Sequence, residues 1–194
     1  MAVLATRLAR LMALLGGAVL LVLIAITCVS VLGRGLNTFG HSAFLTDLAP
    51  GLAEALLASG VGAVTGDFEI VEAGIAFAIF AFLPICQLKA GHATVDIFTD
   101  QLPAGVNRGL IAFWEVALTL VILLISWRLF EGLQSKYRYG ETTFLLQFPV
   151  WWAYGASFAA SVIAGLIALY AAGARIAGLL VGRDVVTYDG SIRP

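Results

Sequence analysis

The chain has 194 residues, 61% of them hydrophobic and only 12% charged, where soluble domains average about half apolar and about a quarter charged. With a mean hydropathy of +0.99, it has too little polar surface to cover a water-soluble globule and reads as an integral membrane protein. A net charge of −1 with no run of like charges argues against nucleic acid as a partner.

The first predicted element is an uncharged apolar run from Leu11 to Leu32. A helix rises about 1.5 Å per residue, so about 20 such residues cross a hydrocarbon core of about 30 Å. Arg7 and Arg10 ahead of this run resemble the start of a signal peptide. The run continues past Cys28 without a small-residue cleavage site, so a retained span is expected. Residues 33–66 form the longest connection. Within it Leu45, Leu48, Leu52 and Leu56 recur at helical spacing, Pro50 suits a first turn, and Glu54 complements a helix N-terminus. One short amphipathic helix is predicted there, on the outer side. It carries no Lys or Arg, so packing on a partner protein suits it at least as well as lying on lipid.

The second span, Ile70–Leu88, is broken only by Glu72 near its start and Gln87 near its end. Pro84 within it predicts a kink. The span follows an acidic stretch (Asp67, Glu69, Glu72) and ends in a polar cluster of Gln87, Lys89, His92, Asp96 and Asp100. The third span, Leu110–Leu129, carries Glu115 near one end and Arg128 at the other. The connection Phe130–Phe148 contains Glu131, Lys136, Arg138 and Glu141 and reads as a solvated loop; Gly140 turns the chain and Pro149 suits the first turn of the next helix. The fourth span, Trp151–Ala172, has no charge, and the tail from Gly182 to Pro194 is short and polar. These runs do not alternate as the strands of a membrane barrel would. The expectation is a single all-α membrane domain over residues 1–194 with four transmembrane helices.

Basic residues set the orientation. With the N-terminus inside, the inner side holds Arg7, Arg10, Lys89, Arg108, Arg175, Arg183 and Arg193, and the outer side holds Arg34, Arg128, Lys136 and Arg138. Both termini are therefore expected in the cytoplasm. Trp127, Trp151, Trp152 and Tyr154 then fall near the outer face, and Trp114 and Tyr170 near the inner one, as interfacial aromatic belts do.

Ionisable groups within a bilayer are costly and are the first functional suspects. Glu69 and Glu72 share a helix face at i, i+3 spacing. With Asp67 they suit contact with a partner or with cations, or they complement the helix N-terminus at the water boundary. Glu115 either pairs with a buried partner or reaches the inner interface. His92 and Asp96 would stand one turn apart on a helix and could pass a proton or bind metal. A single His with two carboxylates makes a weak metal site, and His41 lies on the opposite predicted side. Cys28 and Cys86 form no C-x-x-C, and haem-ligating histidine pairs within the spans, a Ser–His–acid set and a phosphate-binding glycine loop are all absent. No cofactor and no catalytic residue is implied.

Two motifs then carry a resemblance. One runs Gly66-Asp67-Phe68-Glu69-x-Val71-Glu72, then Phe82-Leu83-Pro84, then Gln87-Leu88-x-x-Gly91-His92-x-x-Val95-Asp96, ending at Leu102-Pro103. The other runs Gly140-Glu141-Thr142-Thr143, then Leu146, Pro149, Trp151-Trp152 and Tyr154. The chain resembles the small permease subunit (DctQ-like) of tripartite ATP-independent periplasmic, or TRAP, transporters, over nearly its whole length. The resemblance implies a non-enzymatic subunit of a bacterial inner membrane. It would pack on a large permease subunit that holds the substrate and ion sites, with a periplasmic binding protein delivering an organic acid such as a dicarboxylate. It also marks Asp67, Glu69, Glu72, Gln87, Lys89, His92, Asp96, Gly140, Glu141, Thr143, Pro149 and Trp151 as motif or partner-contact candidates. Two other readings stay open on the residues alone. One is a self-sufficient ion-coupled transporter or channel using Glu72 or Glu115; the other is a membrane enzyme or electron carrier built on His92 and Asp96.

Overall fold

The structure, a computed structural model, describes residues 2–89 and 104–181. Six helices occur among these residues: α1 (Ala2–Gly40), α2 (Ala43–Leu48), α3 (Pro50–Ala58), α4 (Asp67–Lys89), α5 (Ala104–Tyr139) and α6 (Trp151–Val181). Of these, α1, α4, α5 and α6 are long and apolar enough to cross a membrane. The chain is an all-α, four-span membrane protein.

The helices run past the apolar stretches that mark them in the sequence. α1 extends over 39 residues, about 58 Å at 1.5 Å per residue, well beyond a hydrocarbon core. α5 continues to Tyr139 and takes in Glu131, Lys136 and Arg138, residues expected in a loop. Glu, Leu, Gln and Lys are good helix formers, and Arg128 pairs with Glu131 one turn on, at 2.7 Å. Hydropathy reports where lipid ends, whereas the helix ends only at Gly140, whose φ of +62° suits a C-terminal glycine. The helix expected in the long connection is two helices. Ala49 breaks it at φ −149°, ψ 71°, because the residue before a proline is pushed out of the α region. Ser42 caps α2 by accepting from the Leu45 N–H, and Pro50 opens α3.

The spans lie in the order α1, α4, α6, α5, each packed along the next. Contacts along α1 and α4 recur every seven residues. Ser30 meets Asp67, Leu23 meets Gly74, and Gly16 meets Ala81, so the two helices are antiparallel. On the α5–α6 seam Thr119 reaches the Ala168 carbonyl and, seven residues on, Ser126 reaches that of Ser161; Tyr154, seven before Ser161, lies against Gly132, six beyond Ser126. A seven-residue period is the knobs-into-holes repeat of left-handed helix pairs. Here it is filled largely by small residues and hydroxyls, as membrane interfaces prefer. α4 and α5 share no such seam and meet through a side-chain bond near one end, described below. We call the end where α4 and α6 begin the loop end, and the opposite one the terminal end.

Candidate functional site at the loop end of the spans

The acidic stretch begins with a turn. Gly66 has φ +75°, and a Cβ there would stand 2.4 Å from Leu146 Cγ, so glycine serves both the backbone angle and the close approach of the second loop. Asp67 then turns to α1. Its Oδ2 accepts from Ser30 Oγ at 2.5 Å and pairs with Arg34 at 3.2 Å, while Oδ1 accepts its neighbour Phe68 N–H at 2.9 Å. Ser30 is fully buried and also accepts the Val64 N–H at 3.2 Å. The Arg34 guanidinium lies 5.9 Å above the Phe68 ring. Three segments are thereby joined at one carboxylate.

Glu69 turns the other way. Its two oxygens accept the backbone N–H groups of Leu145 (2.6 Å) and Leu146 (2.9 Å), in the hairpin joining α5 to α6. The hairpin is also held from within. Thr142 and Pro149 form an isolated bridge, and the Val150 N–H donates to the Glu141 carbonyl at 2.9 Å. The Thr143 N–H donates to the Phe148 carbonyl at 3.0 Å, and its hydroxyl accepts the Phe148 N–H at 3.3 Å. Gln147 takes a left-handed φ of +55°, uncommon outside glycine, with its amide donating to the Phe144 carbonyl. Glu141 pairs with Lys136 on the last turn of α5. Trp151 stacks edge-on against Tyr137 at 5.6 Å, tying the start of α6 to α5.

Glu72, one turn further into the span, is different. It is exposed. Among the described residues of the spanning helices, Asp67, Glu69, Glu115 and Glu131 each hold a partner, and Glu72 alone among these acids holds none. It lines a cavity of about 440 Å³ under the hairpin, together with Glu69, Phe80, Phe144, Tyr154 and Ser157.

At the terminal end, Gln87 is fully buried in α4 and donates to Glu115 Oε1 of α5 at 2.8 Å. Arg175 of α6 stands 3.0 Å from the other Glu115 oxygen. Neither Nε–H nor the buried Nη2 is aimed at an acceptor, so this is a charge contact rather than a directed hydrogen bond. Thr119 closes the group by donating to the Glu115 carbonyl at 2.7 Å. Lys89 is exposed on the last turn of α4. His92 and Asp96, singled out by the sequence, lie outside the described residues, as does Asp100.

The structure therefore brings Asp67, Glu69, Glu72, Gly140, Glu141, Thr143, Pro149 and Trp151 to one end, with Gln87 and Lys89 at the other. Sequence reasoning missed Ser30, Arg34, Thr119, Tyr137, Ser157 and Arg175 as participants, of which the arginines served only to set orientation. A signal for Ser30 was present. Ala9, Gly16, Leu23, Ser30 and Asn37 stand seven apart on α1; the first four are buried, and Asn37 donates to the Val61 carbonyl at 2.8 Å.

The fold and these contacts define a class: a four-span helical membrane protein whose ionisable groups mostly brace helices against one another. The chain belongs to the family described as tripartite ATP-independent periplasmic transporters, DctQ component, which matches residues 23–180. It is thus a small subunit of a three-part transporter, from a family of transporter components rather than of enzymes. No curated protein and no solved structure matches the chain.

Proposed function

We propose that this subunit is a scaffold for the large permease subunit, in the ion-gradient-driven, binding-protein-dependent uptake of an organic acid such as a dicarboxylate. The observation that supports this reading most is the use made of intramembrane polar groups. Asp67 holds α1 to α4, Glu69 holds the α5–α6 hairpin to α4, and Glu115 gathers α4, α5 and α6. Carboxylates engaged in this way brace a rigid body; they are poorly free to load and release ions. The four spans also lack the paired broken helices from which midplane transport sites are built.

In this reading the protein is one four-span unit over residues 1–194 of a bacterial inner membrane, with both termini in the cytoplasm and the loop end facing the periplasm. The exposed tip of the hairpin, Phe144 and Leu145, offers the surface for its partners. Glu69 and Glu141, already engaged within the chain, contribute indirectly by shaping that tip.

The test is organic-acid uptake in cells or proteoliposomes carrying the large permease subunit and the binding protein, with and without this chain. Scaffolding predicts that uptake is lost when the chain is omitted and that the two membrane subunits co-purify. Undiminished uptake without it defeats the proposal. Ion-coupled flux through this chain alone would favour the self-sufficient transporter instead.

A further inference from the structure

We infer that the cleft between α4 and α6, beneath the 141–149 hairpin, is a binding site for an aminophospholipid. The primary ammonium of the headgroup sits on Glu72, and the Ser157 hydroxyl donates to a phosphate or ester oxygen of the same lipid.

Three observations converge on the cleft. The first is its size: about 440 Å³, within the range of about 300–1,000 Å³ typical of small-molecule sites. The second is Ser157, 2% exposed, whose Oγ has no hydrogen-bond partner. Buried hydroxyls are normally satisfied, and among the described residues the others are. Ser30 bonds Asp67, Thr119 bonds the Glu115 carbonyl, Ser126 that of Ile122, and Ser161 that of Phe158. Among the described residues, Ser157 alone of the buried hydroxyls faces a cavity unpaired. The third is Glu72, the acid of the described spanning segments for which no ion pair or hydrogen bond is found, on the same cavity wall.

Glu69, Thr143 and Tyr154 also line the cleft, and the wall along α4 beyond Glu72 is apolar and elongated. Ala73, Ala76 and Phe80 carry it along α4, so that Glu72 and Phe80 are separated by about 12 Å of helix rise. Phe80 packs on the cluster containing Ala160, which places Ser157 between the levels of Glu72 and Phe80. The occupant thus has a cationic head, an acceptor about a turn deeper, and an apolar body beyond. A lysine from a partner protein would satisfy Glu72 but leave Ser157 and the apolar wall empty. A lipid of the adjoining leaflet supplies all three features without leaving the membrane. A carboxylate prefers an ammonium that can donate hydrogen bonds to it, which selects ethanolamine or serine headgroups over choline. None of this depends on the scaffold reading.

The test uses the full-length protein purified in mild detergent together with its membrane partner. Native mass spectrometry after exchange against phosphatidylethanolamine, phosphatidylcholine or phosphatidylglycerol reads the retained lipid. Phosphatidylethanolamine should be retained about tenfold over phosphatidylcholine, and Glu72→Gln should lower its retention about tenfold, as loss of one charge-assisted hydrogen bond implies. Ser157→Ala should lower it less. Ala76→Leu, which fills the apolar wall with Glu72 intact, should abolish retention and serves as the deciding variant if Glu72→Gln fails to fold. Equal retention of the ethanolamine and choline lipids overturns the proposal, as does unchanged retention in both Glu72→Gln and Ala76→Leu. A carbodiimide cross-link from Glu72 to a partner lysine with no lipid retained also overturns it.

Discussion

The two ends of the spans hold their carboxylates by opposite means. At the loop end, Asp67 and Glu69 lie near the water boundary and are met by many modest donors: a hydroxyl, an arginine that is half-exposed, and backbone N–H groups. At the terminal end, Glu115 is 4% exposed and is met by one buried amide and one largely buried guanidinium. Charge attraction strengthens as the dielectric falls, but so does the desolvation cost of each ion. The loop end can therefore lose a contact and let water replace it. The terminal end cannot, because an orphaned Arg175 would remain among apolar helices.

This contrast is breakable by experiment. The largest effect is expected for Glu115→Ala, which leaves Arg175 uncompensated. Breaking a buried pair costs about 3–5 kcal/mol, to be read as lost resistance to unfolding in mixed detergent micelles. The double change Glu115→Leu with Arg175→Leu should recover most of that loss, since removing both partners of such a pair is often neutral. A double variant no better than the single one would refute the buried-charge account.

Next is Gly33→Ala. A Cβ at this position would stand 2.0 Å from the Gly62 carbonyl oxygen, a backbone atom that cannot swing away. The expected loss is about 1–3 kcal/mol, measured in the same micelle titration, with chemical probing showing the 59–65 segment released from α1. An unchanged midpoint would mean that this close approach is not a constraint.

A smaller and more local effect is expected for Glu69→Gln. The neutral amide keeps one acceptor for two N–H donors. Hydrogen exchange at Leu145 and Leu146 should rise several-fold while α5 and α6 stay protected, because loops open locally at lower cost than packed helices. Exchange spreading into α6 would show that the hairpin supports the helices rather than resting on them. The smallest effect belongs to Arg34→Gln at the exposed pair, where water and salt already screen the charge. Its unfolding midpoint should move least of the four, and less still at high salt; a loss rivalling that of Glu115→Ala would erase the distinction between the two ends.

Much of the architecture was legible from composition. Four apolar runs of spanning length predicted four spanning helices, Gly140 marked a turn of the chain, and Pro50 marked the start of a helix. The motif around Asp67–Glu72 already pointed to the DctQ component family, which the match over residues 23–180 shows. Helix lengths were not legible, because apolar runs end where lipid ends while backbone hydrogen bonding continues through Lys136 and Arg138. The break at Ala49 was legible in principle from Pro50, yet the leucine spacing on either side concealed it.

The roles of the acids required the fold. Asp67, Glu69 and Glu72 look alike in sequence, three carboxylates within six residues. A helix turns about 100° per residue, so Asp67 faces Ser30 and Arg34 of α1 while Glu69 and Glu72 share another face one turn apart, the first held by the hairpin backbone and the second left on the cleft. Glu115 and Arg175 lie far apart along the chain and become partners only because α5 and α6 are antiparallel in a particular register. The sequence by itself determined that the chain spans a membrane, how often, and which family it belongs to, since those follow from transfer free energy and local motifs. Only the tertiary structure decided which charges are engaged and which remain available, because that depends on helix rotation and register, set by long-range packing of small residues.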